Sequence, residues 1–434
     1  MVDYKTPKRD YEFILKEVLD VENQIKGYKG YEEATWDMIE MLSDQYSEVA
    51  TDYWLPSNKD GDELGAQFED GNVTLPPSMK AASKIIIDSG LTSLFGHKEY
   101  GGMEFPHVFN VFADEISCSS NMALGIYMGL TKGAYHCIHS HGSEELKNFY
   151  LPKFLTGEFF GTMCLTEAHC GTDLGLIRTT AKEEGDAYRI SGQKIFISAG
   201  EHDLSENIIH LVLARLPDSP EGVKGISLFL VPKILVDNEG DLGDRNNVNC
   251  VSIEEKMGVH GSATCVLSFE NSQGYLVGEP NKGLQAMFSM MNTERIAVGM
   301  QGLGLSEIAY QNGLSYAKDR IQGRDLKEHK NPEMEADPLL VHPDVRRMLL
   351  RSKALIDGSR MLACWTALAV DKSVKDPDPS VRKENSDLVE LMTPIVKALL
   401  TDFGIEITND MLQIFGGHGY IKEYGMEQFV RDAR

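Results

Sequence analysis

The spacing of apolar residues changes twice along this chain, and these two changes restrict the fold more than any other feature. Up to about Glu158 the apolar residues recur at helical spacing, as in RDYEFILKEVL and ATWDMIEMLSDQYSEVA. Short runs rich in Val, Ile, Leu and Phe then follow, bounded by Gly, Pro and Asp, which is typical of strands. After GEPNKGLQAMF the helical spacing returns. The pattern therefore predicts an α+β protein in the order helical, β, helical.

The chain has 434 residues, too many for one ordinary hydrophobic core. We expect an N-terminal helical domain over 1–160, a middle β-barrel or sandwich domain over 161–280, and a C-terminal helical bundle over 281–434 that is incomplete. Ser143 is the predicted N-cap of a helix in HGSEELKNFYLPKFLTG, because a short hydroxyl precedes two carboxylates. KDPDPS predicts a break between two long C-terminal helices.

Charge and composition exclude several kinds of protein. The formal net charge of −24 argues against a nucleic-acid partner, because phosphate binding needs a positive surface. We expect no membrane association, since no apolar run is long enough to span a bilayer and MVDYKTPKRDYEF has no apolar core like that of a secretory signal. Seven cysteines without a C-x-x-C pair fit free thiols, so we expect a cytoplasmic protein.

Two stretches of the β region could line a ligand. MCLTEAHCGTDLG crowds hydroxyls, carboxylates and glycines into a loop that leaves a strand, which suits an acceptor-rich ligand such as a flavin ring. From the residues alone, a polar turn with local hydrogen bonds is the preferred interpretation. In GQKIFISAG, strand alternation places Phe196 and Ser198 on one face, where they could contact a planar cofactor or form the half-buried side of a sheet.

The histidine-rich stretch AYHCIHSHG suggests a metal site, but we predict none. His136 and His139 could share a helix face, whereas His141 falls at a predicted helix end and no second pair of ligands is evident. Structural or surface histidines are the preferred interpretation.

The helix in MFSMMNTERIAVGMQ has apolar residues on nearly every side and is predicted to be buried. Asn292, Glu294 and Arg295 nevertheless lie inside it. A buried charge needs a partner or a function. The pattern leaves two alternatives open, a structural Glu–Arg pair or a carboxylate base with an arginine near an anionic ligand.

Several of these stretches occur together, and in the same order, in one family. HGSEELKNFYLPKFLTGEFFGTMCLTEAHCGTDLG, ISGQKIFISAG, EEKMGVHGSAT, MMNTERIAVG and QIFGGHGY resemble motifs of the acyl-CoA dehydrogenases. The resemblance covers essentially the whole chain, and the order of its domains agrees. YKTPKRD and NNVNCVSIEEKMGVHGSATC are most similar to the branch that contains 3-methylmercaptopropionyl-CoA dehydrogenases.

The resemblance implies FAD as cofactor, bound between the β domain and the C-terminal helices. Leu165 and Thr166 match positions at the flavin ring, and Thr172 matches a hydroxyl near the flavin phosphate and the substrate. Phe196 and Ser198 match residues against the ring. Two residues depart from the family pattern: Met163 replaces a common aromatic at the cofactor, and Ala168 replaces a common proline. The implied contacts within one subunit are Met163, Leu165, Thr166, Thr172, Phe196 and Ser198.

The resemblance also implies an oligomer, a homodimer or homotetramer. Arg320 and Gln322 resemble a segment that contacts the ADP half of a neighbouring subunit's FAD, although KDRIQGR is one residue shorter than the common form. Gln413 and Gly417 fall on the family's Q-x-x-G-G motif, which serves the same neighbouring cofactor.

The implied reaction is α,β-dehydrogenation of an acyl-CoA thioester, with electrons passing on to an electron-transfer flavoprotein. Thr172, Asn292 and Arg295 match positions near the substrate. If the chain is complete, Glu294 is the candidate base. If it is a fragment, which the close branch's additional C-terminal helical region favours, a glutamate following Arg434 is the expected base.

Two rival functions remain open at this point. An acyl-CoA oxidase would differ in letting oxygen reach the flavin, which the sequence does not decide. A flavoprotein homologue without dehydrogenase activity, such as the DNA-associated alkylation-response branch, would need a basic surface, and the charge of −24 argues against it.

Overall fold

A computed structural model describes residues 2–237 and 240–434, except for the side chains of residues 292 and 293. The α+β class is confirmed, with helices at both ends of the chain and a β-sheet region between them. None of the helices in the described ranges is both long and apolar enough to cross a membrane.

The N-terminal third folds into helices where helical spacing predicts them. Ser143 is confirmed as an N-cap, since its hydroxyl accepts a hydrogen bond from the amide of Leu146 at 3.3 Å. Two π-helical turns, Phe13–Val18 and Ala50–Trp54, interrupt this part. Its helices are α1 (Lys8–Glu12), α2 (Val21–Gln24), α3 (Trp36–Val49), α4 (Leu55–Leu64), α5 (Pro77–Asp88), α6 (His107–His141) and α7 (Glu144–Leu155).

A small hairpin lies within this otherwise helical part. Strands β1 (Gln67–Glu69) and β2 (Asn72–Thr74) pair antiparallel around Asp70 and Gly71. Both loop residues have positive φ, at 47° and 81°, which a two-residue turn with the hand of a twisted hairpin requires. The Asp-Gly pair is a known hairpin signal, and helical spacing on either side obscured it.

Helix α6 is bent, and the bend brings distant residues together. Asn121 has non-helical φ and ψ of −156° and 91°. Its side-chain oxygen accepts from the amide of Leu124, so it caps the second arm of the helix, while its amide donates to Ser57. We call residues 107–120 the first arm and 122–141 the second arm.

The middle region forms a mixed sheet in which five strands pair in a closed circuit. This closure fits the predicted barrel. A further pair of short strands forms its own small sheet. The strands are β3 (Phe159–Cys164), β4 (Thr180–Glu184), β5 (Ala187–Ser198), β6 (Asn207–Arg215), β7 (Ile226–Pro232), β8 (Ile234–Val236), β9 (Leu242–Arg245), β10 (Val248–Ile253) and β11 (Thr264–Val277).

The C-terminal part packs long helices against one another and against α6. The predicted break at KDPDPS is confirmed, since one helix ends at Lys375 and the next begins at Pro379. Tyr316, near the end of the first of these helices, stacks on Phe415 at the end of the third, with ring centroids 4.0 Å apart. The helices are α8 (Gly283–Asp319), α9 (Pro343–Lys375), α10 (Pro379–Ile414) and α11 (Met426–Ala433).

Candidate active site

A cavity of about 270 Å³ lies where three parts of the fold meet. Both arms of α6, the end of the sheet and the buried part of α8 contribute to its walls. The sheet supplies Met163 and Ser198, and α8 supplies Glu294 and Gln301. Two residues that the sequence placed beside a cofactor therefore share one cavity with the predicted base.

Glu294 is buried, with 8% of its surface exposed, and lines this cavity. Its Oε1 atom has no hydrogen-bond partner among the described residues. An unpaired buried carboxylate oxygen is costly, so it calls for an explanation such as a bound molecule or a catalytic role. The structure thus disfavours the alternative in which Glu294 is a satisfied structural partner of its neighbour Arg295.

Two glycines on the second arm make room for this carboxylate. A Cβ atom at Gly133 would lie 2.6 Å from Oε1 of Glu294, and one at Gly129 would lie 3.9 Å from Oε2. Residues four apart lie on the same face of a helix, so the two glycines form one notch. We refer to Gly129 and Gly133 as the glycine notch.

A partly buried ion pair lies beside the notch, with side-chain exposures of 9% for Lys132 and 22% for Asp114. The ammonium of Lys132 donates to both carboxylate oxygens of Asp114, at 2.7 and 2.8 Å. The two residues are 18 positions apart in α6, a separation of about 27 Å along a straight helix. The pair therefore depends on the bend at Asn121.

The surroundings of Glu294 raise its pKa from 4.5 to about 7. Burial is the main cause, because loss of water disfavours the charged form. The positive charge of Lys132 lowers the pKa and the negative charge of Asp114 raises it. A carboxyl group with a pKa near neutrality is suited to take up a proton and release it again.

The end of the sheet presents an aromatic ring at an unusual backbone position. Phe196 has φ of +58°, rare for a bulky residue, and 60% of its surface is exposed. The register of β5 against β11 shifts at this point, so a bulge breaks the simple alternation of Phe196 and Ser198. Thr162 anchors the end of the strand by donating to the carbonyl of Ser198 at 2.6 Å.

The loop after β3 is fixed by a second buried ion pair. Lys194 donates to the carbonyl of Leu165 at 3.0 Å and to the carboxylate of Glu167 at 2.9 Å. Glu167 also accepts from the hydroxyl of Thr179 at 2.6 Å. These bonds hold Leu165 and Thr166 beside the sheet end, whereas Thr172 lies farther along the loop and is exposed.

The remaining predicted residues do not line the cavity of their own chain. Arg295 lies with its guanidinium 5.9 Å from the ring centre of Phe288, and the side chain of Asn292 is outside the described residues. Gln413 and Gly417 flank Phe415, which packs on Tyr316 four residues before Arg320. Arg320, Gln322, Gln413 and Gly417 thus gather at one end of the helical bundle, away from Glu294.

The metal-like histidine stretch is engaged in ring contacts. His139 stacks on His97 with centroids 3.6 Å apart, and His136 contacts His107 at 5.6 Å. Among the described residues, one trio, Glu167, His169 and Cys170, brings potential ligand atoms within 4.8 Å of one another. The carboxylate of Glu167 is already bonded to Lys194, so we retain the prediction of no metal.

The sequence interpretation missed Asp114, Lys132 and the glycine notch. G-x-x-x-G in GLTKG was a usable signal, since small residues four apart let another group approach a helix closely. The ion pair had no comparable signal, because its partners meet only across the bend.

Comparison with known proteins supplies further findings. The family models described as acyl-CoA dehydrogenase N-terminal, middle and C-terminal domains match residues 39–158, 162–272 and 281–434. The chain is 44% identical to 3-methylmercaptopropionyl-CoA dehydrogenase of Ruegeria pomeroyi, covering 99% of this chain and 73% of that protein.

Two further similarities extend this result. A butyryl-CoA dehydrogenase of Syntrophomonas wolfei is 35% identical over 100% of this chain and 72% of its own length. The solved structure of the electron transferring flavoprotein of Acidaminococcus fermentans contains a chain with a TM-score of 0.75 and 25% identity, covering 92% of each chain.

Proposed function

We propose that Glu294 is the catalytic base of this chain, which belongs to the acyl-CoA dehydrogenase family and catalyses flavin-dependent α,β-dehydrogenation of an acyl-CoA thioester. The observation that carries the proposal is the unpaired Oε1 atom of Glu294 inside the cavity. The side chain of Glu294 is thus buried, has an acceptor atom that is free among the described residues and is accessible to a ligand in the cavity.

The reaction requires a base that works without water. The α-carbon of a thioester is a weak acid, so proton removal needs a carboxylate whose basicity is raised by desolvation. Glu294 is buried and its pKa is raised to about 7, so near neutral pH it is ionised in part and receives the α-proton on Oε1. The glycine notch leaves the carboxylate room to meet the substrate.

The residues present fit FAD. Phe196 offers an exposed ring next to the cavity wall formed by Met163 and Ser198. A Cβ at Gly417 would meet no atom within 4 Å, so the space there is open to the backbone approach of a ligand. Bound FAD would supply the hydride-accepting chemistry for the β-carbon. We propose that one subunit holds it through Met163, Leu165, Thr166, Thr172, Phe196 and Ser198.

We further propose that Arg320, Gln322, Gln413 and Gly417 contact the FAD of a neighbouring subunit, in a homodimer or homotetramer. Their gathering at one end of the bundle, outside the cavity of Glu294, supports this assignment.

The proposed substrate is a short acyl-CoA, with 3-methylmercaptopropionyl-CoA as first candidate and short or medium fatty acyl-CoAs as alternatives. The similarity to the Ruegeria protein supports this choice. The cavity has apolar walls at Leu94 and Phe95 and polar groups at Asn110 and Ser117, which suits a short chain with a polarisable end. We propose that Thr172, Asn292 and Arg295 contact the substrate.

An electron-transfer flavoprotein is the proposed electron acceptor, and the similarity to a chain in the Acidaminococcus structure supports it. We also propose a cytoplasmic location. All seven cysteines are free thiols, as they would be in a reducing compartment.

The experiment is anaerobic. The holoprotein is mixed with a panel of acyl-CoAs, including the methylthio compound, and bleaching of the flavin absorbance is followed. Rapid bleaching is expected with wild type, and Glu294→Gln should slow it by about 10²- to 10⁴-fold. Glu279→Gln is the matched control, since Glu279 is exposed and outside the cavity. Unchanged bleaching in Glu294→Gln would refute the assigned base, and a protein that cannot bind FAD would contradict the cofactor.

A further inference from the structure

A second cavity of about 90 Å³ lies behind the first. The two share Asn110, Asp114 and Lys132 in their walls. The second cavity is also lined by His107 from the first arm of α6 and by Thr393 from α10, whose buried hydroxyl has no partner among the described residues. The Asp114–Lys132 pair therefore stands between two spaces rather than inside packed core.

The pair is the main charged environment of Glu294. Of the described residues that line the larger cavity, Asp114, Lys132 and Glu294 carry charged side chains. The titratable neighbours Tyr46, from α3, and Cys118, from the first arm, stay neutral because burial raises the pKa of each. The sheet contributes neutral Met163 and Ser198, and α8 contributes neutral Ala297 and Gln301.

Lys132 and Glu294 line the same cavity, but the hydrogen bonds of Lys132 go to Asp114. Both hydrogen bonds that the structure gives the Lys132 ammonium go to Asp114, and Oε1 of Glu294 accepts none. A direct Lys132–Glu294 bond would hold the carboxylate ionised and occupy its acceptor atom. Because Asp114 binds the ammonium of Lys132, the positive charge acts on Glu294 only through a longer-range electrostatic interaction.

We propose that Asp114 and Lys132 are positioning residues that together set how readily Glu294 holds a proton, Lys132 by its charge and Asp114 by restraining Lys132. This inference rests on the proposed function of Glu294 as base. Neither residue touches the reacting atoms in this account. The bend at Asn121 is the structural device that brings the pair to the site.

The two residues have opposite predicted effects. Removing the cation with Lys132→Met leaves the negative charge of Asp114 and shifts the titration of Glu294 to higher pH. Removing the anion with Asp114→Asn releases Lys132 toward Glu294 and shifts the titration of Glu294 to lower pH. Each shift should be roughly one pH unit, the order of change that a neighbouring charge causes in the titration of a carboxyl group.

The test reads Glu294 directly by infrared difference spectroscopy. The carbonyl band of its protonated carboxyl group is isolated by subtracting the spectrum of Glu294→Gln and is titrated with pH in the holoprotein. Wild type, Lys132→Met, Asp114→Asn and the double variant are compared. The double variant should titrate near wild type, and Lys132→Arg should restore the wild-type value in part, since it keeps the charge.

Shifts in the same direction, or no shift in either single variant, would overturn the proposal. The Asp114–Lys132 pair would then have only a structural role, stabilising the bend of α6. If Lys132→Met does not fold because it leaves the partly buried Asp114 without its cation, two results still decide. They are the downward shift in Asp114→Asn and the near-wild-type titration of the double variant. The infrared readout needs no turnover, so it separates this inference from the proposed function. Opposite shifts of the Glu294 titration, together with unchanged flavin bleaching in Glu294→Gln, would refute Glu294 as the base. They would still support the effect of Asp114 and Lys132 on Glu294.

Discussion

Asp114 and Glu115 are adjacent in the first arm of α6, but they enter two different buried charge clusters. Glu115 meets Arg360, which donates to both of its oxygens at 3.0 and 2.6 Å and to Glu307 at 2.7 Å. Asp114 meets Lys132 near Glu294. Each cluster brings one buried cation near two carboxylates of low exposure, and Arg360 also donates to the more exposed Asp357 at 3.3 Å. In the Arg360 cluster the cation binds both carboxylates, and in the Lys132 cluster it binds one.

This difference separates a structural cluster from the one that we propose to be functional. Arg360, Glu115 and Glu307 are buried, and further bonds satisfy their remaining atoms, including one from Tyr11 to Glu115 at 2.5 Å and one from Gln311 to Glu307 at 2.8 Å. Glu294 keeps an unpaired oxygen toward a cavity. Full satisfaction contributes rigidity, whereas the unpaired carboxylate retains its capacity to accept a proton.

The largest expected effect comes from breaking the Arg360 cluster. Arg360→Met leaves two buried carboxylates without their cation and should lower the free energy of unfolding by about 3–5 kcal/mol. Denaturant titration measures this loss. Adding Glu115→Gln and Glu307→Gln to the same chain should recover part of it, and a triple variant as unstable as the single one would contradict the charge-based explanation.

The pH dependence of stability should reveal the titration of Glu294. Since the pKa of Glu294 is raised from 4.5 to about 7, its neutral form favours the folded state, and that contribution is lost as pH rises between these values. Wild type should lose roughly 3 kcal/mol relative to Glu294→Gln over this window. Equal pH dependence of the two proteins would show that Glu294 is not titrating as the structure indicates.

The glycine notch provides a sharper comparison within one residue type. Gly133→Ala places a Cβ 2.6 Å from Oε1 of Glu294 and should reduce the bleaching rate by up to about 100-fold, because the carboxylate must move. Gly358→Ala in α9 is the matched control. A Cβ there meets no atom within 4 Å, so it should leave the rate unchanged and stabilise the helix by about 0.5–1 kcal/mol. Equal bleaching rates in both variants would remove the notch from the site.

The smallest expected effect is at the edge of the Arg360 cluster. Tyr11→Phe removes a hydrogen bond to the charged Glu115 and should lower the free energy of unfolding by about 1.5–3 kcal/mol without changing the bleaching rate. A loss of activity in this folded variant would mean that the two clusters are coupled through α6.

Much of the architecture could be predicted from periodicity and end signals. Helical spacing, Ser143 and KDPDPS located helices and their ends, because local hydrogen bonding and proline geometry decide them. The β1–β2 hairpin was missed although Asp70–Gly71 signals one. The bend of α6 was missed because Asn121 acts as a cap only once its side chain meets Leu124 and Ser57.

The sequence indicated the chemistry of the candidate site better than its geometry. Glu294 stood out as a carboxylate in a helix predicted to be buried, and the family resemblance placed Met163 and Ser198 at the cofactor. All three line one cavity. The position of Phe196 depends on a bulge and a positive φ that arise from pairing with β11. Asp114 and Lys132 meet through tertiary structure, so no local pattern could join them.

Exchange of the α-hydrogen tests the role of Glu294 most directly. The holoprotein is incubated in D₂O with an acyl-CoA that cannot be oxidised at its β-carbon, and deuterium incorporation at the α-carbon is measured by NMR. Exchange requires removal of the α-proton but no transfer of a hydride. The account predicts that wild type exchanges and that folded Glu294→Gln is slower by about 10²-fold or more. Equal exchange rates in the two proteins would contradict it.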